Sequence, residues 1–363
     1  MHSLKRIAAL ADNEITPSPS KTLVSMLRYR SDRLVTIVDR DNAGVDAGSV
    51  LAGGLGRDLP IVPDVAAALE FQPDALLLAD EPVGAAIQPY WRGQVLVALE
   101  RGLDVISGLH YQLSEDDEVR TVAERSGATI WDLRRPPTDR YFTEFGVDGR
   151  PIVEYRAHRP GSRTVLAVGT DCGCGKMTTM LELDREAPAR GLDSTFVATG
   201  QVGMMVSGGG IAVDSIMADF VNSVVEDVVY SAARRHDLVL VEGQGAVNHP
   251  RYSAVTLGLV HGSRPDTMIL CHDLGRTAIG LLRDRPLPSL RRAVEINEEA
   301  IRWADQDSTC RVAGISVMTR GFSDAEARAA LTAIAEETGL PTVDVLRDGA
   351  GALLDAVEVQ PVA

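Results

Sequence analysis

One lysine in this chain stands apart by its position. There are three lysines in 363 residues, Lys5, Lys21 and Lys176, while arginine supplies nearly all remaining positive charge. Lys176 sits in a glycine-rich stretch, G-T-D-C-G-C-G-K-M-T-T (169–179). An anion needs several N–H donors converging on one point. Glycine lets the backbone curl that tightly, and a following helix adds its positive N-terminal end. A lysine at the helix start then brings a full charge to the outer phosphates. The pattern therefore reads as a phosphate-binding loop formed by Thr170, Asp171, Cys172, Gly173, Cys174, Gly175, Lys176, Met177 and Thr178.

This loop departs from G-x-x-x-x-G-K-[ST]. One extra residue separates Gly169 from Gly175, and Met177 stands where a Ser or Thr would hold Mg²⁺, with Thr178 one place later. Phosphates can be cradled without Mg²⁺ being placed for phosphoryl transfer. A phosphate-bearing carrier such as coenzyme A needs the cradle and not the metal.

Other reactive groups fall at strand ends. D-L-V-L-V-E-G (237–243) is a nearly apolar strand closed by Glu242, followed by Gln244 and Gly245. A carboxylate there can hold Mg²⁺ through water, bind an ammonium group or take its proton; it can equally cap a loop. His110, His249, His261 and His272 lie at strand ends or loops, and neutral imidazole is a suitable base for an amine. Arg251 in H-P-R-Y and Arg264 in H-G-S-R-P-D are candidates for clamping a carboxylate. The four cysteines, Cys172, Cys174, Cys271 and Cys310, lack the paired spacing of a zinc site, so no metal site is expected from them.

Two α/β units are expected to position these groups. Strands over 33–39, 74–80, 104–110 and 128–134, separated by helices over 65–71, 90–101 and 115–126, indicate a parallel doubly wound sheet. A Pro- and Gly-bearing connection over 135–163 follows. The alternation then restarts, with strands over 163–169, 194–200, 237–243, 266–272, 310–319 and 341–346 and helices over 176–190, 218–235 and 323–338. The run from Ser207 to Gly210 reads as a mobile loop. The expected domains are 1–140, Rossmann-like, and 141–363, containing the phosphate loop.

Composition narrows the partners. A net charge of −15 disfavours nucleic acid. No apolar run is long enough to span a membrane. The first residues start basic and apolar but meet Asp12, Asn13 and Glu14 before reaching secretory length, so a cytoplasmic protein is expected. A homo-oligomer is expected on base rates.

Taken together, the loop, V-E-G-Q-G (241–245), H-G-S-x-P-D (261–266) followed by L-C-H, and S-G-L-H (107–110) resemble a bacterial and archaeal family, long a domain of unknown function, associated with DgcN-type D-glutamate N-acetyltransferases. The likeness runs from about residue 33 to 350. It implies a Rossmann-like N-terminal domain, a P-loop NTPase-like C-terminal domain, and acetyl transfer from acetyl-CoA to the amino group of D-glutamate in D-amino-acid catabolism. On that reading Glu242, His261 and His272 are the catalytic candidates, with Gln244, His249, Arg251 and Arg264 placed to bind an amino-acid substrate. Where the family tends to carry an A-P-Q-G-G-like turn, this chain has E-P-V-G-A-A (81–86). The loop and V-E-G pairing is more distantly similar to dethiobiotin synthetase, which keeps an ATP/Mg²⁺-dependent ligase or kinase as the alternative, beside a non-catalytic nucleotide-binding protein.

Overall fold

A computed structural model describes residues 6–12, 15, 20–79, 86–136, 161–280 and 282–359, with the side chains of 358 and 359 left aside. Residues 81–85 of the E-P-V-G-A-A turn and 137–160 of the connection lie outside these. The chain forms two compact units. One comprises Met1–Pro136 with Gln201–Ser215, the other Pro137–Gly200 with Ile216–Ala363.

The first unit holds a parallel sheet of six strands: β1 (Ile7–Leu10), β2 (Leu34–Val38), β3 (Ile61–Val62), β4 (Ala75–Leu78), β5 (Asp104–Ser107) and β6 (Ile130–Asp132). Their spatial order is β3-β2-β1-β4-β5-β6, the order of dinucleotide-binding folds. Sequence reasoning missed β1, a four-residue strand in a polar surrounding, yet it is central and wholly buried. Its neighbours are apolar, and helices Pro89–Glu100 and Asp117–Ser126 cover one face of them, packing Trp91, Val95, Leu99 and Val119 against Leu76, Leu78 and Val105. Asp39, just past β2, stands where such folds often carry a ribose-binding acid. Here its carboxylate accepts the backbone N–H groups of Asp41 (2.8 Å) and Asn42 (3.3 Å) and the Asn42 side-chain amide (3.1 Å).

Helix Gln201–Ser207 belongs to this first unit although it follows a strand of the second. Gly108 admits it: a Cβ there would lie 2.8 Å from both Gln201 Cγ and Met205 Cε. Arg134 Nε donates to Asp214 (3.1 Å), fastening the far end of the excursion.

The second unit holds β7 (Arg163–Gly169), β8 (Ser194–Val197), β9 (Leu238–Val241), β10 (Thr267–Asp273), β13 (Arg311–Met318) and β14 (Thr342–Val343) in one parallel sheet, order β14-β13-β10-β7-β9-β8. Between β10 and β13 runs a small antiparallel hairpin, β11 (Ala278–Ile279) and β12 (Leu282–Pro286). The expected strand over 341–346 is shorter, because Asp344 turns the chain: its carboxylate takes Thr319 N–H (2.9 Å) and Leu346 N–H (3.0 Å). β7 lies at the centre. The chain fills one side of it with β8 and β9, then crosses to β10 on the other. Ligand crevices of doubly wound sheets open at such a reversal, beyond the strands' carboxyl ends. The phosphate loop begins there.

Candidate functional site

Strand β7 ends at Gly169 and helix Lys176–Glu186 starts seven residues later. Two glycines in between adopt left-handed backbone, Gly173 at φ 65° and Gly175, the N-cap, at φ 96°. Side chains rarely take such angles, which explains glycine at both positions. Lys176 lies only 6% exposed. Its Nζ donates to Asp171 O (2.8 Å) and lies 3.6 Å from Cys174 Sγ, which itself donates to Asp171 O (3.0 Å). Glycines flank the lysine stem: a Cβ on Gly169 would lie 3.0 Å from Nζ, and one on Gly243 would lie 3.0 Å from Cδ. Met177 is buried. Thr179 is committed inward, donating to Gly175 O (3.0 Å) or Ser316 Oγ (2.8 Å). Beneath it lies Cys271, whose thiol burial pushes up to about 12, so it is an uncharged packing group.

Asp171 is the hub of the loop, 1% exposed. Its Oδ1 accepts Cys172 N–H (2.7 Å); its Oδ2 accepts Gly280 N–H (2.8 Å) and Arg276 NH1 (2.8 Å). Burial pushes the carboxyl up, but the Gly280 and Cys172 amides and the Arg276 guanidinium outweigh it and leave it below the ordinary carboxylate range. Arg276 NH1 also donates to Cys172 O (2.5 Å). Sequence reasoning passed over this arginine. It follows β10 in a turn without a motif; the pairing of β10 with β7, Cys271 opposite Gly169, carries it to the loop, and the hairpin β11–β12 brings Gly280 there.

The segment after β9 lines the other wall. Asn248 donates to Thr170 O (3.0 Å), and His249, 1% exposed, places Nε2 3.7 Å from Asp171 Oδ1. His249 Nδ1 accepts Arg251 N–H (3.1 Å). A backbone amide only donates, so Nδ1 carries no proton and the ring presents Nε2–H toward the loop. The ring also stacks on Tyr252, centroids 4.5 Å apart. Asp171, Cys172 and His249 each bring a ligand atom within 4.8 Å of the others. Metal-bound imidazole donates through its second nitrogen, whereas this one accepts there, and Arg276 already occupies Asp171. The arrangement suits hydrogen bonding to an anion better than holding a cation. Cys172 is raised above the ordinary thiol range by burial, with Lys176 opposing.

Among the catalytic candidates, His272 reaches the site. At the end of β10, its Nδ1 lies 3.0 Å from Thr170 Oγ1. Burial lowers its pKa below the ordinary histidine value, with Asp273 opposing and Arg276 assisting. Glu242 is at the crevice but does structural work: 1% exposed, its Oε2 accepts the amides of Thr199 (3.0 Å) and Gly200 (3.1 Å), while Thr199 Oγ1 donates to Glu242 O (2.7 Å). Gln244 Nε2 adds a bond to Thr199 Oγ1 (3.3 Å). Both residues hold the end of β8.

His261 and Arg264 are not at the site. Helix Ser253–Ser263 runs back to the amino ends of the strands, opposite the loop. Two residues beyond Arg264, Asp266 exchanges bonds with Thr164 (2.9 and 2.6 Å), at the start of β7. Six residue steps along the strand, about 20 Å, separate Thr164 from Thr170. His261 Nε2 meets Ala300 O (2.9 Å), and Arg264 ends its helix in left-handed backbone, facing Asp305 (3.5 Å). Arg251, by contrast, adjoins the site through its backbone N–H to His249 and is exposed, with no ion pair among the described residues.

No helix among the described residues is long and apolar enough to cross a membrane.

Comparison with known proteins shows the family and the two domains. Residues 152–354 match the P-loop domain of unknown function DUF1611_C, and residues 40–136 match its Rossmann-like partner, DUF1611_N. The chain is 40% identical over 274 residues to a D-glutamate N-acetyltransferase of Tritonibacter scottomollicae, covering 76% of this chain and 78% of that one. It is 32% identical over 271 residues to a D-glutamate N-acetyltransferase of a Pseudoalteromonas species, covering 75% and 77%. A crystal structure of a DUF1611 family protein from Anabaena variabilis superposes with a TM-score of 0.86 at 34% identity, over 98% of this chain and 99% of that one.

Proposed function

The chain belongs to the DUF1611 family and is an N-acetyltransferase; from that premise we propose that it moves acetyl from acetyl-CoA to the amino group of D-glutamate or a related amino acid. On this reading it is a cytoplasmic enzyme of D-amino-acid catabolism.

The observation that carries the donor assignment is the pairing of an intact phosphate cradle with Met177 buried where a Mg²⁺-holding hydroxyl would stand. The loop amides and Lys176 bind the phosphates of the donor. His249 offers Nε2–H to the thioester oxygen as it becomes an oxyanion, its tautomer fixed by the Arg251 amide. With Nδ1–H donated to Thr170 Oγ1, His272 has Nε2 free to accept the ammonium proton. The amine then attacks the thioester carbon, the C–S bond breaks, and coenzyme A leaves as the thiol. Arg251 binds a carboxylate of the acceptor. Glu242 and Gln244 position β8 rather than touch the reacting atoms.

The test is thiol release from acetyl-CoA with a panel of D- and L-amino acids. Release with D-glutamate supports the assignment. No release with any amine, or Mg²⁺-dependent ATP turnover instead, sinks it.

A further inference from the structure

We propose that Arg276 is a second phosphate-binding cation, held across the loop mouth by Asp171 and Asp273, and that it confers preference for a phosphate-bearing acetyl donor. This rests on the acetyl-CoA reading above.

Three observations converge. First, Arg276 spans the loop. NH1 is fixed by Asp171 Oδ2 (2.8 Å) and Cys172 O (2.5 Å), while NH2 lies 3.5 Å from Asp273 Oδ2. NH2 is also 4.0 Å from the place a Cβ would take on Gly173, the exposed apex of the loop. A guanidinium has five N–H donors in a rigid fork. The two on NH1 face protein acceptors, and NH2 retains a donor toward the apex.

Second, the anchor is built for the purpose. Asp171 is buried, and its carboxylate is further restrained by the Gly280 and Cys172 amides. A pre-oriented arginine loses little side-chain freedom when an anion arrives. The arginine itself remains 26% exposed, enough to meet a ligand.

Third, the inner cation is recessed. Lys176 Nζ turns onto Asp171 O beneath the loop. One buried lysine serves the phosphate nearest the helix end. A diphosphate has a second phosphoryl group farther out, and Arg276 is the cation lying over the loop there. Asp171 thus supplies its carbonyl to one cation and its carboxylate to the other. The ligand chemistry recognised is a diphosphate ester, and the adenosine part of the donor is not specified by these residues.

The experiment has two arms. In the first, kcat/KM is measured with acetyl-CoA and with S-acetyl-N-acetylcysteamine, a thioester without phosphates. Charge-assisted bonds of this kind predict a ten- to hundredfold rise in KM for acetyl-CoA in Arg276→Ala, approximately. The phosphate-free thioester loses several-fold less of its kcat/KM than acetyl-CoA does, and Arg276→Lys recovers part of the difference. Asp171→Asn raises KM for acetyl-CoA in the same direction by loosening the clamp. Equal losses on both thioesters, or no loss on either, overturn the proposal. In the second arm, inorganic pyrophosphate is titrated into wild type and Arg276→Ala by calorimetry. Weaker binding in the variant supports the proposal; equal binding, or none to wild type, overturns it. A wild type that transfers no acetyl yet binds pyrophosphate through Arg276 refutes the donor assignment and leaves the clamp standing.

Discussion

Gly243 is where the fold and the site depend on the same missing methyl group. It follows β9, beside β7, and a Cβ there would lie 1.7 Å from Ala167 O and 2.8 Å from Ala167 C. Real Cβ atoms essentially never come within 3.0 Å of such an atom, so Gly243→Ala needs a backbone displacement of about 1.3 Å. Neither side yields cheaply. Ala167 is the fifth residue of the central strand, and Leu166 is paired with Val241 just before the contact. The added carbon also meets Lys176 Cδ at 3.0 Å, so the strain reaches the phosphate loop. Overpacking of this severity costs about 3 kcal/mol. For a unit of roughly 200 residues that lowers Tm by about 6–12 °C. The assay is urea and thermal unfolding of wild type and variant, followed by KM for acetyl-CoA at a temperature where both are folded. Destabilisation with a raised KM is expected. A variant within about 0.5 kcal/mol of wild type refutes the close approach of the two strand ends.

Gly93 gives the opposite sign. It sits inside helix Pro89–Glu100 with open space where a Cβ would go, so Gly93→Ala stabilises the first unit by about 0.5–1 kcal/mol, read by urea unfolding. His272 sets a pH dependence: burial lowers its pKa, so it stays unprotonated below the ordinary histidine value of about 6.5. The acid limb of kcat/KM therefore falls below that pH, and His272→Asn removes the limb along with most activity; a limb at or above the ordinary value contradicts its role as base. Arg251→Ala raises KM for the amino acid about tenfold or more while Arg264→Ala leaves it within about twofold, a split that steady-state kinetics reads directly.

The phosphate loop and most of the alternation in both sheets were legible because their signals are local, whereas the short strands β1 and β3 were missed. A run such as R-T-V-L-A-V-G followed by glycines and a lysine carries its strand, turn and helix within fifteen residues. Glu242 was legible as a strand-end acid, but its partners, the Thr199 and Gly200 amides, lie 42 to 43 residues away and leave no mark in spacing. His261 and Arg264 misled for a different reason. They share a motif with strand β10, yet a helix and a strand in series put their junction at the amino ends of the strands, away from the loop. Arg276 left no signal, since its role depends on β10 pairing with β7, which brings it to Asp171 across 105 residues of chain. The transfer of Gln201–Ser215 to the first unit was equally silent, because its only local cue, Gly108, lies in the other half of the chain.

The central claim is that residues 169–176 hold the phosphates of the acetyl donor. Calorimetric titration of coenzyme A into wild type and Lys176→Met tests it most directly, because methionine keeps the buried stem while removing the charge. The account predicts affinity reduced about tenfold or more with folding cooperativity unchanged. Equal affinity in the two proteins would contradict it.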